Sequence, residues 1–396
     1  MNIRLVAAVA AIALVAVALG VTLSGKRGDG VRIGFVTTLT TASAAIGIDM
    51  RDGFDLAVEH MGGTMAGLPV TVFYEDDGLD PEIGRQKTER LVQRDGVQFI
   101  SGYIWSNVLL ASVHAAVEQG VFVIGANAGP SQLAGEGCLA WFFSTSWQND
   151  QTPMAMGEVL NRRGVDNLYL LAPNYAAGRN MVAGIERTYR GAIAGTDMTQ
   201  WPGQLDFSVE LAKVRAANPG AVWVFYPGNH GTQFFTQYAQ AGLLGVIPLY
   251  STFSVDALNL PVIGPLVEGL LLTQHWSPDL DNAANRRFVD GFRARTGRTP
   301  SFYAAQAYDA AMLIRSAVEA TGGDLDDKDA LRRALEAADF ESNRGDFAFN
   351  NNHFPIQDFY LREVVRTEDG GFGTRVVDKV YTAHRDPYAG QCAMTP

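Results

Sequence analysis

The chain has 396 residues, of which 47% are apolar and 18% charged, and it carries a net charge of −11. That length exceeds one typical domain and suits two, each able to bury its own core. The polar balance is that of a globular protein, and the absence of any basic stretch excludes a nucleic-acid binder. Residues 1–25 stand apart: Arg4 is followed by an unbroken apolar run from Leu5 to Leu23. This reads as a secretory leader, with Ala16-Val17-Ala18 as a small-x-small cleavage pattern, and an uncleaved anchor is the alternative at that length. No cysteine lies near enough to carry a lipid anchor.

After the leader, apolar runs alternate with helical spacings. Strands are predicted over 31–36, 69–75, 97–101 and 121–125, with helices over 46–61, 82–94 and 108–119 between them. The pattern then restarts. Helices are predicted over 150–163, 178–189, 207–217 and 233–241, and strands over 167–172, 221–226 and 246–250. Further helices are expected over 282–296, 302–321 and 328–338, with closing strands over 357–365 and 375–382. Strands alternating with helices imply a parallel sheet covered on both faces, and two such blocks imply two doubly wound α/β lobes with a cleft between them. In such sheets ligands lie beyond the carboxyl ends of the strands.

Several chemistries lack their signatures. No glycine-rich phosphate loop follows a strand, no nucleophile elbow occurs, and the six histidines have no metal-ligand spacing. No catalytic residues, cofactor or metal are expected. The two cysteines, Cys138 and Cys392, are expected to form one disulfide if the chain is exported, tying the C-terminal tail to the body.

The strand-end loops carry the candidate site. Tyr103, Trp105 and Ser106 follow the strand over 97–101, and Ser106 begins a helix whose free amides suit a carboxylate. Ala126, Asn127 and Ala128 follow the next strand and leave the backbone accessible. Tyr175, Tyr226 and Phe253 sit at strand ends of the second block, and Trp147, Trp276 and Tyr303 are further aromatic candidates. A cleft walled by rings and poor in charge favours a flat or apolar ligand with one anionic group.

Over about residues 31–365 the chain resembles the type I periplasmic binding proteins of ABC importers, in the branched-chain amino-acid group. The resemblance is carried by TTLT at 37–40, YEDD at 74–77, GYIWSN at 102–107, NAGP at 127–130, NYAAG at 174–178 and SFYAAQAYD at 301–309. It implies two lobes joined by a three-crossing hinge: 31–147 with 277–344, then 148–276 with 345–382, and a tail over 383–396. It also implies that Ser106 binds a ligand carboxylate. Ala126 and Ala128 would stand in a loop that holds ligand through main-chain groups. Tyr175 and the segment 226–229 would face the ligand from the second lobe, with Tyr303 near an aromatic cleft position. The amino-acid binders place an acid near Phe253 to grip the ammonium. Here the segment reads STFSV, with Asp256 three residues past Phe253, and the usual hydroxyl is missing at Ala128. An unpaired ammonium in a closed cleft would cost several kcal/mol. The sequence is therefore closer to the subgroup linked to aromatic acids.

The function these features imply is that of a non-enzymatic, monomeric periplasmic solute-binding protein that delivers a small organic carboxylate to ABC permease subunits. The alternatives are a ligand-sensing receptor or regulatory subunit of the same fold, which an uncleaved anchor would favour, and a binder of branched-chain amino acids or amides.

Overall fold

A computed structural model describes residues 30–394; the leader expected over 1–25 lies outside them. Six strands form the first sheet: β1 (Val31–Thr37), β2 (Thr64–Met65), β3 (Leu68–Asp76), β4 (Phe99–Gly102), β5 (Phe122–Gly125) and β6 (Phe142–Ser144). Their order is β2-β3-β1-β4-β5-β6, and every pairing is parallel except the β2–β3 hairpin. The crossovers are α1 (Ala44–His60), α2 (Pro81–Gln93) and α3 (Ser106–Val117). α2 starts where the Asp80 carboxylate accepts from the amides of Glu82 and Ile83, with Pro81 in the first turn, where its missing N–H costs nothing.

The second sheet uses β7 (Asn167–Pro173), β8 (Ala192–Thr199), β9 (Ala221–Val224), β10 (Leu249–Thr252), β11 (Leu271–Gln274), β12 (Ala348–Phe349), β13 (Pro355–Arg366) and β14 (Phe372–His384). Its order is β12-β13-β11-β10-β9-β7-β8, with β14 paired to β13. Its helices are α4 (Gln151–Arg162), α5 (Ala176–Thr188), α6 (Ser208–Ala217), α7 (Asn229–Gln240) and α8 (Leu260–Val267). The chain leaves the first lobe after β6. It returns after β11 to lay down α9 (Ala283–Thr296), α10 (Phe302–Ala320) and α11 (Lys328–Ala337), and passes back for β13 and β14. α9 and α10 both pack on α1. The approach of α10 is close enough that a Cβ at Gly53 would lie 2.3 Å from the Ala304 carbonyl oxygen, so only glycine fits there.

β8 was not expected, because it is an exposed edge strand whose sequence, AIAGTDMT, has no apolar alternation. α8 was missed because its short apolar run contains Pro261 and Pro265. β6 and β11, three and four residues long, were also not expected. The strand expected from Val246 begins only at Leu249; Val246 is 72% exposed. Among the described residues no helix is long and apolar enough to cross a membrane.

The C-terminal tail after β14 folds back on the body. Cys392 is bonded to Cys138, 254 positions earlier. The Asn352 amide donates to the Ala134 carbonyl at 2.6 Å and also to the Asp386 carboxylate, and the Tyr388 hydroxyl donates to Asp150 at 2.9 Å.

Candidate functional site

In the first sheet β1 lies between β3 and β4, and in the second β7 lies between β8 and β9. Each is the place where the winding reverses, and such crevices hold ligands. The loops after β4 and β5 in one lobe and after β7, β9 and β10 in the other meet around a narrow space of about 20 Å³, room for about one water until the lobes part.

The loop after β4 begins at Gly102, with φ of +103°, where a Cβ would sit 2.2 Å from the Val36 carbonyl oxygen. Only glycine allows that turn. It leads through Trp105, the residue capping α3, to Ser106 in the first helical turn. Ser106 is buried, and its Oγ accepts from Asn149 Nδ2 at 3.1 Å. That leaves its O–H free to donate into the cavity, beside the unsatisfied amides of the helix start. Asn149 is itself fixed by Asn180 Oδ1 at 3.2 Å. Trp105 is aimed by a relay: its indole donates to Thr38 at 2.8 Å, and Thr38 donates to Asp77 at 2.6 Å. Burial pushes the Asp77 carboxyl up to about 6.

Trp105, Ser106, Asn127, Ala128, Tyr175, Phe253 and Tyr303 all line this space. Asn127 contributes its backbone face, because its side chain is engaged: it donates to the Ile104 carbonyl at 2.7 Å and accepts from Gln306 at 2.6 Å. Three candidates lie elsewhere. Tyr103, held at φ +58°, turns its hydroxyl to Thr88 at 2.7 Å, underneath the sheet. Ala126 donates its amide to the Gly102 carbonyl in a continuation of the strand pairing, with its methyl fully buried in the core. Tyr226 stacks on Phe234 and meets Phe207 edge-on inside the second lobe, and its neighbour Phe225 takes the place at the cavity. Successive side chains at a strand end point to opposite faces, so a one-residue error in register exchanges the two.

Trp147 lines the space from the first crossing and stacks on Phe253 at 4.1 Å. Trp276 does not line it. Trp201 was not singled out by the sequence. It stacks on Tyr175 at 4.6 Å and lies 5.0 Å from Trp105, so rings of both lobes interlock across the cleft. The missed edge strand β8 ends two residues before it, so the strand-end rule never reached Trp201.

No Asp, Glu, Lys, Arg or His lines the space. Burial pushes the Tyr175 and Tyr303 phenols well above their ordinary range, so both stay neutral donors. His275 is fully buried beside Trp147, and burial together with the Arg344 and Arg362 guanidinium groups holds it well below its usual value, hence neutral. Asp256 does not line this space and borders a different cavity. Among the described residues no cluster of His, Cys, Asp and Glu is arranged to hold a metal ion.

This fold and cleft have recognisable relatives. The family model described as periplasmic binding protein matches residues 30–371. The chain belongs to the periplasmic binding protein family. A Leu/Ile/Val-binding protein homolog 6 of Brucella suis is 26% identical over 390 residues, covering 95% of this chain and 98% of the relative. An ABC-transporter solute-binding protein of R. palustris, solved with benzoate, is 29% identical with a TM-score of 0.85, covering 91% of this chain and 98% of that one. A solute-binding protein of Rhodopseudomonas palustris BisB5, solved with 3,4-dihydroxybenzoic acid, is 25% identical with a TM-score of 0.83, covering 91% and 99%. These relatives are binding proteins, and this member of their family has the type I architecture of two parallel-dominated lobes.

Proposed function

We propose that this chain is the extracytoplasmic solute-binding protein of an ABC importer and that its cargo is a small aromatic carboxylate. The observation that carries this reading is the lining of the cleft: Trp105, Trp147, Tyr175, Phe253 and Tyr303 surround a space with no charged side chain, next to the Ser106 hydroxyl. Rings bind a flat apolar body by stacking. The hydroxyl, with the amides at the start of α3, answers a carboxylate without a cationic partner. No carboxylate in that lining pairs with an ammonium, which argues against an α-amino acid despite the Leu/Ile/Val-binding relatives. The benzoate-type ligands of the two R. palustris proteins support the same cargo class.

Cargo would first engage the Ser106 side of the cleft. The second lobe then brings Tyr175 and Phe253 over it, and the closed arrangement gains because only it contacts the ligand from both sides. Delivery to permease subunits from the periplasm completes the reading, with the chain released from its leader or held by it.

Calorimetry of the mature chain against benzoate, 4-hydroxybenzoate, 3,4-dihydroxybenzoate, leucine, isoleucine and valine tests the cargo. Micromolar or tighter binding of at least one aromatic acid is expected, with none for the amino acids. Binding of leucine or valine with silence from every aromatic acid overturns the assignment. Ser106→Ala is expected to weaken the aromatic acid by about 10- to 100-fold, corresponding to the roughly 1.5–3 kcal/mol of a hydrogen bond to a charged group.

A further inference from the structure

A second and wider cavity, of about 760 Å³, also lies between the lobes. Arg293, Arg298 and Phe302 border it from the first lobe; Asp256, Arg362 and Thr374 border it from the second. The Phe302 ring separates it from the cargo cleft, lying 5.1 Å from Phe253 and 5.9 Å from Trp147. Leu258, Pro261, Pro300 and Phe372 make much of its wall apolar.

Two polar groups in this wall are only partly satisfied. Asp256 and Arg362 are each 4% exposed, and Asp256 Oδ2 and Arg362 Nε have no hydrogen-bond partner. The rest of the Arg362 guanidinium donates to the Trp276 carbonyl at 3.1 Å and to Thr374. A buried polar atom left without a partner is costly, and such atoms are rare unless something else meets them. Arginines and carboxylates share the cavity border, and the cationic groups not held by an ion pair among the described residues are Arg362, inside it, and Arg293, at its rim. Arg298 is neutralised by Asp49 at 2.6 Å and Asp52 at 2.5 Å, but Arg293, exposed at the rim, forms no ion pair among the described residues. Asp279 is engaged with Ser277 and with the Val376 amide. Burial pushes the Asp256 carboxyl up to about 7, so near neutral pH it is a donor for much of the time.

We infer that this cavity is a second small-molecule site, for an organic anion with an apolar body, and that its occupancy favours the closed arrangement of the lobes. The anionic group sits against Arg362 and towards Arg293. The apolar body lies on Pro261 and Phe372. Both lobes supply the walls, so the site is complete only when they are closed. A ligand here and a cargo in the cleft therefore strengthen each other's binding by the same factor.

The test uses 8-anilinonaphthalene-1-sulfonate, an aromatic sulfonate, titrated into the mature chain by fluorescence. One saturable site with enhanced emission is expected. Thr374→Trp, which crowds the cavity beside Arg362, is expected to weaken it at least tenfold, and Arg293→Glu several-fold. Saturating benzoate, where the cleft takes it, is expected to tighten the dye rather than displace it. Absence of saturable binding overturns the inference. So does an affinity unchanged in a folded Thr374→Trp variant, which would put the dye on exposed apolar surface or, where benzoate displaces it, in the cleft. Should Thr374→Trp fail to fold, unchanged affinity in Arg293→Glu overturns it instead. The dye result does not depend on which cargo the cleft takes.

Discussion

Trp105 and Trp201 face each other across the cleft from different lobes, and they act in different ways. Trp105 lines the cavity and is held in place by Thr38 and Asp77; Trp201 stacks on Tyr175 and is not part of the lining. Aromatic pairs contribute about 0.5–1.5 kcal/mol beyond their buried area. Trp201→Ala is therefore expected to weaken cargo binding by about tenfold, through a less stable closed state rather than a lost contact. Stopped-flow dissociation checks this: the off-rate should rise while the on-rate holds, and an unchanged off-rate would leave Trp201 a packing residue only. Ser106, Tyr175 and Phe253 were legible because each follows an apolar strand in the sequence. Tyr103 and Tyr226 misled for a local reason. A positive φ in one case and strand alternation in the other turned the ring away, while Ile104 and Phe225 took the cavity positions.

Among the elements, the helices with strong caps were the easiest to read. Asp80, Asn282, Ser301 and Asp327 each accept from amides in the first turn of the helix they precede. The short buried strands β6 and β11, the edge strand β8 and the proline-bearing α8 were not legible: the first two are very short, β8 lacks apolar alternation, and two prolines interrupt α8. The tail is a different kind of element. It has almost no regular structure, and the Cys138–Cys392 bond ties it to the first lobe. Closing so long a loop restricts the unfolded chain strongly. The double variant Cys138→Ser, Cys392→Ser is expected to lose about 2–4 kcal/mol of stability, read as a lower denaturant midpoint, with cargo affinity within twofold of the parent. An unchanged midpoint would mean that the contacts of Asn352 and Tyr388 hold the tail without the bond.

For the molecule as a whole, the consequential buried charge is Asp256, which lies between the lobes. Arg362 from β13, Asp49 from α1, Arg298 from the link before α10 and Tyr303 from α10 surround it. Burial raises its carboxyl from 3.8 to about 7. A raised acid costs the folded state nothing below its unfolded value, and the cost grows as pH climbs from about 4 to 7 and is complete above 7. Asp256→Asn removes that cost. The variant is expected to be more stable than the parent by about 1–3 kcal/mol at pH 8.5, with the advantage shrinking as pH falls and gone only below about pH 4, as thermal melts across that range would show. An advantage independent of pH would trace the effect to packing. The two-lobed α/β architecture, the strand-end loops and the family were all written in the sequence, because periodicity and turn chemistry are local and survive without knowledge of neighbours. The pairing of Trp105 with Trp201, the place of Asp256 outside the cleft lining, and the second cavity beyond Phe302 were not. Each depends on how one lobe seats against the other, and periodicity reports which face an element buries but not what that face will meet.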